Sequence, residues 1–148
     1  MAFDNEEDAG FWALINLERA LPPEPMETSE WYEAGTQIYR WKDEKGTFQY
    51  DFQWPLYSNH DKDGHWQPAG KVPIGAEIVA ACHTHPNNGF FSNIDTATAR
   101  GERGLVKQKI VMYMVNRIGA YSYDGKTANL SETARYHLLW GKYPEKKK

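Results

Sequence analysis

Hydrophobic positions along the chain divide it into short segments of two kinds. Phe11, Leu14, Ile15, Leu17, Ala20 and Leu21 recur at helical spacing, so residues 6–21 are predicted to form an amphipathic core helix with an acidic first turn, capped by Asp4 or Asn5. The proline run Pro22-Pro23-Glu24-Pro25 ends it. Residues 31–41 read as a strand with an aromatic face, 42–46 as a hairpin turn and 47–52 as the alternating return strand. Residues 53–70 are polar, glycine-bearing and aromatic, which predicts a long loop or irregular hairpin. The apolar run 78–82 is long enough for one buried strand, and residues 96–100 form a short helix candidate with Ser92 or Asp95 as N-cap. A continuous apolar run at 110–115 predicts a central strand; 117–119 turns it into a strand at 120–123. Residues 131–140 read as a short helix capped by Ser131 and closed by Gly141, with His137 a surface or packing residue. The expected fold class is α+β, a single mixed sheet flanked by helices.

Composition narrows the picture in a few places. The 148 residues fit one domain, with a core at about 6–140 and a frayed tail at 141–148. Formal charge is −3, and the one basic block is Lys146-Lys147-Lys148, so no wide nucleic-acid face is expected. The single Cys82 excludes an internal disulfide framework, and strand alternation turns its thiol away from the neighbouring imidazole. No run approaches the ~18 apolar residues of a membrane span and no signal peptide is expected. A cytoplasmic protein, or one delivered by a specialised secretion system, is the expectation, with no membrane partner.

Candidate chemistry concentrates at residues 79–95. His83 and His85 stand two apart at the end of the 78–82 strand, and alternation aims both imidazoles at one point. Pro86 disfavours helix at His85, and Pro86-Asn87-Asn88-Gly89 reads as a turn or loop. With Asp95 at the following helix start, the two histidines make a three-ligand set for Zn²⁺ that leaves a fourth position for water. The same residues also read as a chance His-x-His, a helix cap and a turn serine. His60, Asp61, Asp63 and His65 read as a solvated turn rather than a second metal cluster. Trp54 and Trp66 are candidates for shaping a substrate groove, or for packing a loop on the core.

His83-Thr84-His85-Pro86, followed by Phe91-Ser92-Asn93-Ile94-Asp95, resembles the metal motif of the JAMM (MPN-plus, JAB-like) metalloproteases, His-x-His-Pro and then Ser-x-x-Asp. Five residues separate Pro86 from Ser92, where the family usually has six. The stretch is more similar to the divergent bacterial branch, found as C-terminal domains of polymorphic and Rhs toxins. The resemblance implies a cytidine-deaminase-like JAMM/MPN layout. It implies a zinc-dependent hydrolase that cleaves a peptide or isopeptide amide bond, with zinc on His83, His85 and Asp95. Glu33, just ahead of Gly35, matches the family's water-activating glutamate, with Glu30 and Glu27 as rivals. Ser92 matches the serine that stabilises the oxyanion, Phe90 or Phe91 is a candidate for anchoring the loop, and Phe90 is a candidate for contacting substrate. A toxin or effector domain would meet an immunity protein as partner. Two other classes stay open: a metal-dependent nuclease toxin on the same scaffold, for which Arg100 and Arg103 are the only nearby cations, and a non-catalytic JAMM-like protein-binding module.

Overall fold

A computed structural model describes residues 2–19, 33–53, 66–85, 91–124 and 137–141, the last group as backbone. The elements run α1 (Glu6–Glu18), β1 (Gly35–Lys42), β2 (Phe48–Phe52), β3 (Glu77–Thr84), α2 (Asn93–Ala99), β4 (Val111–Val115), β5 (Gly119–Tyr123) and β6 (His137–Gly141). The strands form one six-stranded sheet in the order β2-β1-β3-β4-β5-β6. β3 and β4 are parallel and the other neighbours antiparallel, so the sheet is mixed and the α+β class holds. Among the described residues, no helix is long and apolar enough to cross a membrane.

α1 starts where Asn5 caps it, accepting the Asp8 amide at 2.8 Å, and Glu6, Glu7 and Asp8 oppose the positive end of the helix dipole. Its buried face is Ala9, Gly10, Ala13, Leu14 and Leu17. These small and apolar side chains lie on Ile38, Ala80, Cys82, Tyr113 and Val115. Phe11, expected in the core, is 45% exposed, because the buried stripe runs through the small residues on either side of it. The β1–β2 turn is held by Asp43, whose Oδ1 accepts the amides of Lys45 and Thr47, with Gly46 at φ +79°.

The opposite sheet face carries Trp66, Ile78, Ala81, Ala99, Val106, Ile110, Met112 and Tyr123. Ala99 is the α2 contribution, so the two described helices lie on opposite faces. β4 is buried on both, as a central strand reading as one apolar run should be.

β3 does not alternate evenly. Ile38 pairs with Ala80 and Tyr39 with Ile78, which leaves Val79 as an extra residue. Val79 and Ala80 both pack toward α1; alternation resumes with Ala81 toward α2 and Cys82 toward α1. Such a bulge resets the face taken by every later residue, and His83 falls on the α2 side.

The helix expected at 131–140 is corrected. His137–Gly141 is a strand, antiparallel to β5, with Ser122 opposite His137 and Ala120 opposite Trp140. A short apolar run is ambiguous by itself, and here the unpaired edge of β5 decides it, because a buried strand needs partners for its N–H and C=O groups. Ser131 lies outside the described residues.

Candidate metal centre

β1 and β4 flank the end of β3 and fix its course. Gly35 lies opposite His83 on one side and Met114 on the other. Beyond the strand, His85 N–H still donates to the Val115 carbonyl at 2.9 Å. Thr84 clamps the residues before β1: its amide donates to the Ala34 carbonyl at 2.9 Å, and its Oγ1 accepts the Ala34 amide at 3.0 Å. This reciprocal pair sets Glu33 beside the histidines.

Both imidazoles point their Nε2 atoms at one place, 2.9 Å apart. Asp95 Oδ1 lies 3.1 Å from His83 Nε2 and Oδ2 lies 3.1 Å from His85 Nε2. Glu33 Oε2 is 3.6 Å from His85 Nε2. The donor atoms of Glu33, His83 and His85 all fall within 4.8 Å of one another, a buried cluster that could hold a metal ion. Asp95 comes closer still to both histidines. All four side chains are buried, His83 completely.

The donor set fits a small divalent ion. Tetrahedral bonds of ~2.0 Å to nitrogen and oxygen place ligand atoms about 3.3 Å apart, near the spacings seen here. Four ionisable groups removed from water would be costly unless they were mutually compensated. Burial opposes the charge on Asp95, yet the two histidines hold its carboxyl well below the usual range. Burial also opposes charging His83, but Asp95, and after it Glu33, lift it above the ordinary imidazole value.

α2 presents Asp95 through its own cap. Ser92 Oγ accepts the Asp95 amide at 3.1 Å, and Asp95 Oδ2 accepts the Ser92 amide at 2.9 Å. This is a capping box in which the helix-closing carboxylate is also the one facing His85. Asp95 therefore acts as a cap while facing the histidines. Ser92 is tied to the centre through Asp95.

Glu33 Oε1 accepts the Trp66 main-chain amide at 2.7 Å, and the Trp66 indole stacks on the His83 ring, 5.9 Å between centroids and 11° between planes. Trp66 is 2% exposed, which puts it in the packing behind His83 rather than in an open groove. Trp54, Phe90, Glu27, Glu30 and the residues His60, Asp61, Asp63 and His65 lie outside the described residues. Arg100 is engaged by Glu102 at 3.2 Å.

The sequence reading missed Thr84 and Gln37 as supports. A glutamine inside an apolar strand was the available signal for the latter. Gln37 is 1% exposed and bonds to Gln53, Lys71 and Gly70, fastening the segment after Trp66 to β1. Two cavities, of about 280 and 420 Å³, border Arg40 and Glu77 in one case and Trp41 and Ile74 in the other. Neither is lined by the histidines.

Comparison of the chain with protein-family models, curated proteins and solved structures gave no match in any of the three.

Proposed function

We propose that the protein is a zinc-dependent hydrolase of amide bonds, peptide or isopeptide, with His83, His85 and Asp95 as metal ligands. The observation that carries this reading is the convergence of two Nε2 atoms and the two oxygens of one carboxylate, spaced at 2.9–3.1 Å in a buried position with a second carboxylate beside them. The crossover from β3 through α2 to parallel β4, with the cluster at the carboxyl end of β3, agrees with a cytidine-deaminase-like JAMM layout.

When bound, zinc supplies Lewis acidity and brings the pKa of a coordinated water toward ~7. Glu33 takes the proton from the attacking water on Oε2, the oxygen on the His85 side, and returns it to the leaving amine. Ser92 Oγ accepts the Asp95 amide and donates its own proton to the oxygen that gains charge on the scissile carbonyl. Asp95, held by the Ser92 amide, keeps the imidazoles facing inward.

A second reading follows from the position of Glu33 itself. Its oxygen is close enough to the histidines to serve as a fourth ligand. That arrangement would close the coordination shell and make the centre structural.

Protein purified without added metal is expected to carry about one zinc per chain by elemental analysis, and His83→Ala and His85→Ala are expected to lose it. Retained zinc in both variants would remove the site. A screen over peptide, isopeptide-linked and DNA substrates then separates amide hydrolysis from phosphodiester cleavage, and inactivity on all of them with zinc bound would favour the structural centre.

A further inference from the structure

A metal-bound imidazole is ordinarily aimed by a hydrogen bond from its other ring nitrogen to a carboxylate or carbonyl. His83 lacks one: its Nδ1 is buried with no hydrogen-bond partner among the described residues. Against the ring lies the Trp66 indole, nearly parallel to it. The main-chain amide of the same residue donates to Glu33 Oε1. One residue therefore touches both a candidate ligand and the candidate base.

The chain is built around this contact. A Cβ on Gly35 would lie 2.4 Å from the indole Cε2, so the position opposite His83 admits the ring only as glycine. Behind Trp66, the Gly70 amide donates to Gln37 Oε1 at 2.6 Å, and Lys71 O accepts from the side-chain amides of Gln37 and Gln53 at 2.9 and 2.8 Å. These bonds tie the segment to β1 and to the end of β2.

We propose that Trp66 is a positioning residue of this centre. Its indole sets the plane of His83 in place of the missing hydrogen bond, and its amide holds one Glu33 oxygen so that the other faces His85. The role rests on the metal reading above; the geometry does not.

The anchor is tested in metal-free, isotope-labelled protein by NMR. The Trp66 amide proton should resonate downfield and exchange slowly, and Glu33→Ala should move it upfield and speed its exchange. An unchanged Trp66 amide would overturn the anchor. The stack is tested by zinc competition and by the visible spectrum of the cobalt-substituted protein. Trp66→Leu should weaken zinc binding by 10–100-fold, the scale for groups that orient ligands, and change the cobalt bands. Trp66→Phe, which restores an aromatic face, should recover most of the affinity. A folded Leu variant with wild-type affinity and spectrum overturns the role. If that variant does not fold, the His83 ring protons of metal-free wild type decide: the indole should shift them upfield, and random-coil positions overturn the stack. Failure of the wild type itself to bind zinc or cobalt would overturn the metal reading, and the positioning role with it.

Discussion

β3 serves both faces of the sheet, and the two differ in what they bury. Toward α1 it offers Ala80 and Cys82 to Leu14, Leu17 and Ile38, an apolar contact. Burial pushes the Cys82 thiol up, with Glu6 adding to it, so the thiol stays neutral there. Toward α2 the same strand offers His83, which is equally buried but surrounded by Asp95, His85, Glu33 and Trp66. Both faces gain stability from apolar area removed from water, with Ile78 and Ala81 contributing toward α2, but the α2 face also holds charge where charge is expensive. The candidate site thus lies on one face of the strand, and substitutions on the other face should change stability without touching it.

The sharpest contrast is between Glu33→Gln and Leu14→Ala. With a substrate in hand, Glu33→Gln is expected to keep fold and zinc and to lower turnover by roughly 10²–10⁴-fold. Normal turnover would refute its role as base, and loss of zinc would make it a ligand. Leu14→Ala should do the reverse, costing about 2–5 kcal/mol in denaturant unfolding while leaving one zinc per chain. Altered metal stoichiometry in a folded Leu14→Ala protein would show that the faces are coupled.

Gly35→Ala strikes where the faces meet, since the added methyl would press on the Trp66 ring and on the Cys82 carbonyl at 2.5 Å. A loss of about 1–3 kcal/mol is expected from the overpacking. An unchanged melting temperature would mean that the ring is not held there. Ser92→Ala should cost about 1 kcal/mol through the lost cap. Because the Ser92 amide that holds Asp95 survives, zinc should stay bound; its loss would show that the hydroxyl is needed to present the ligand.

The smallest effect is on pH dependence. In metal-free protein the contribution of His83, raised by Asp95 and Glu33 against burial, is fully present below its ordinary value of about 6.5 and is lost as pH rises through its higher folded value. Asp95 behaves oppositely: its contribution is present above the ordinary carboxylate range and lost as pH falls toward its depressed value. On the proposed reading, metal binding needs His83 without its proton. The rise in melting temperature on adding zinc should therefore grow as pH increases through the folded His83 value. A pH-independent rise would count against His83 as a ligand.

The parts of the site legible in the sequence are those set by local periodicity. His83 and His85 share a side because alternate strand residues do, and Ser92-Asn93-Ile94-Asp95 reads as a helix start because a capping box is a local motif. Glu33 was singled out on resemblance, and only pairing of Ala34 with Thr84, fifty residues away, brings it to the histidines. The Val79 bulge and the Trp66 stack have no local signature, since each depends on what β1 presents. The strand at 137–141, inside the stretch 131–140 that reads as a helix, is hidden for a related reason: its apolar residues suit a helix or a strand, and pairing with β5 makes the choice.

Sequence distance within the site also implies an order of assembly. His83, His85 and Asp95 lie within thirteen residues of sequence, with Asp95 in the first turn of α2. Glu33 and Trp66 are brought to them by the pairing of β1 with β3 and by the bonds that tie the segment through Lys71 to Gln37, contacts between residues far apart in sequence. Short loops close at less entropic cost than long ones, and non-local strand pairing is slow. On the proposed reading, a folding chain captures its ion early, through contacts it can make within a few residues. It acquires its base last. Between those moments the protein is metal-loaded and inert, so incorporation of zinc during refolding should run ahead of the first catalytic turnover.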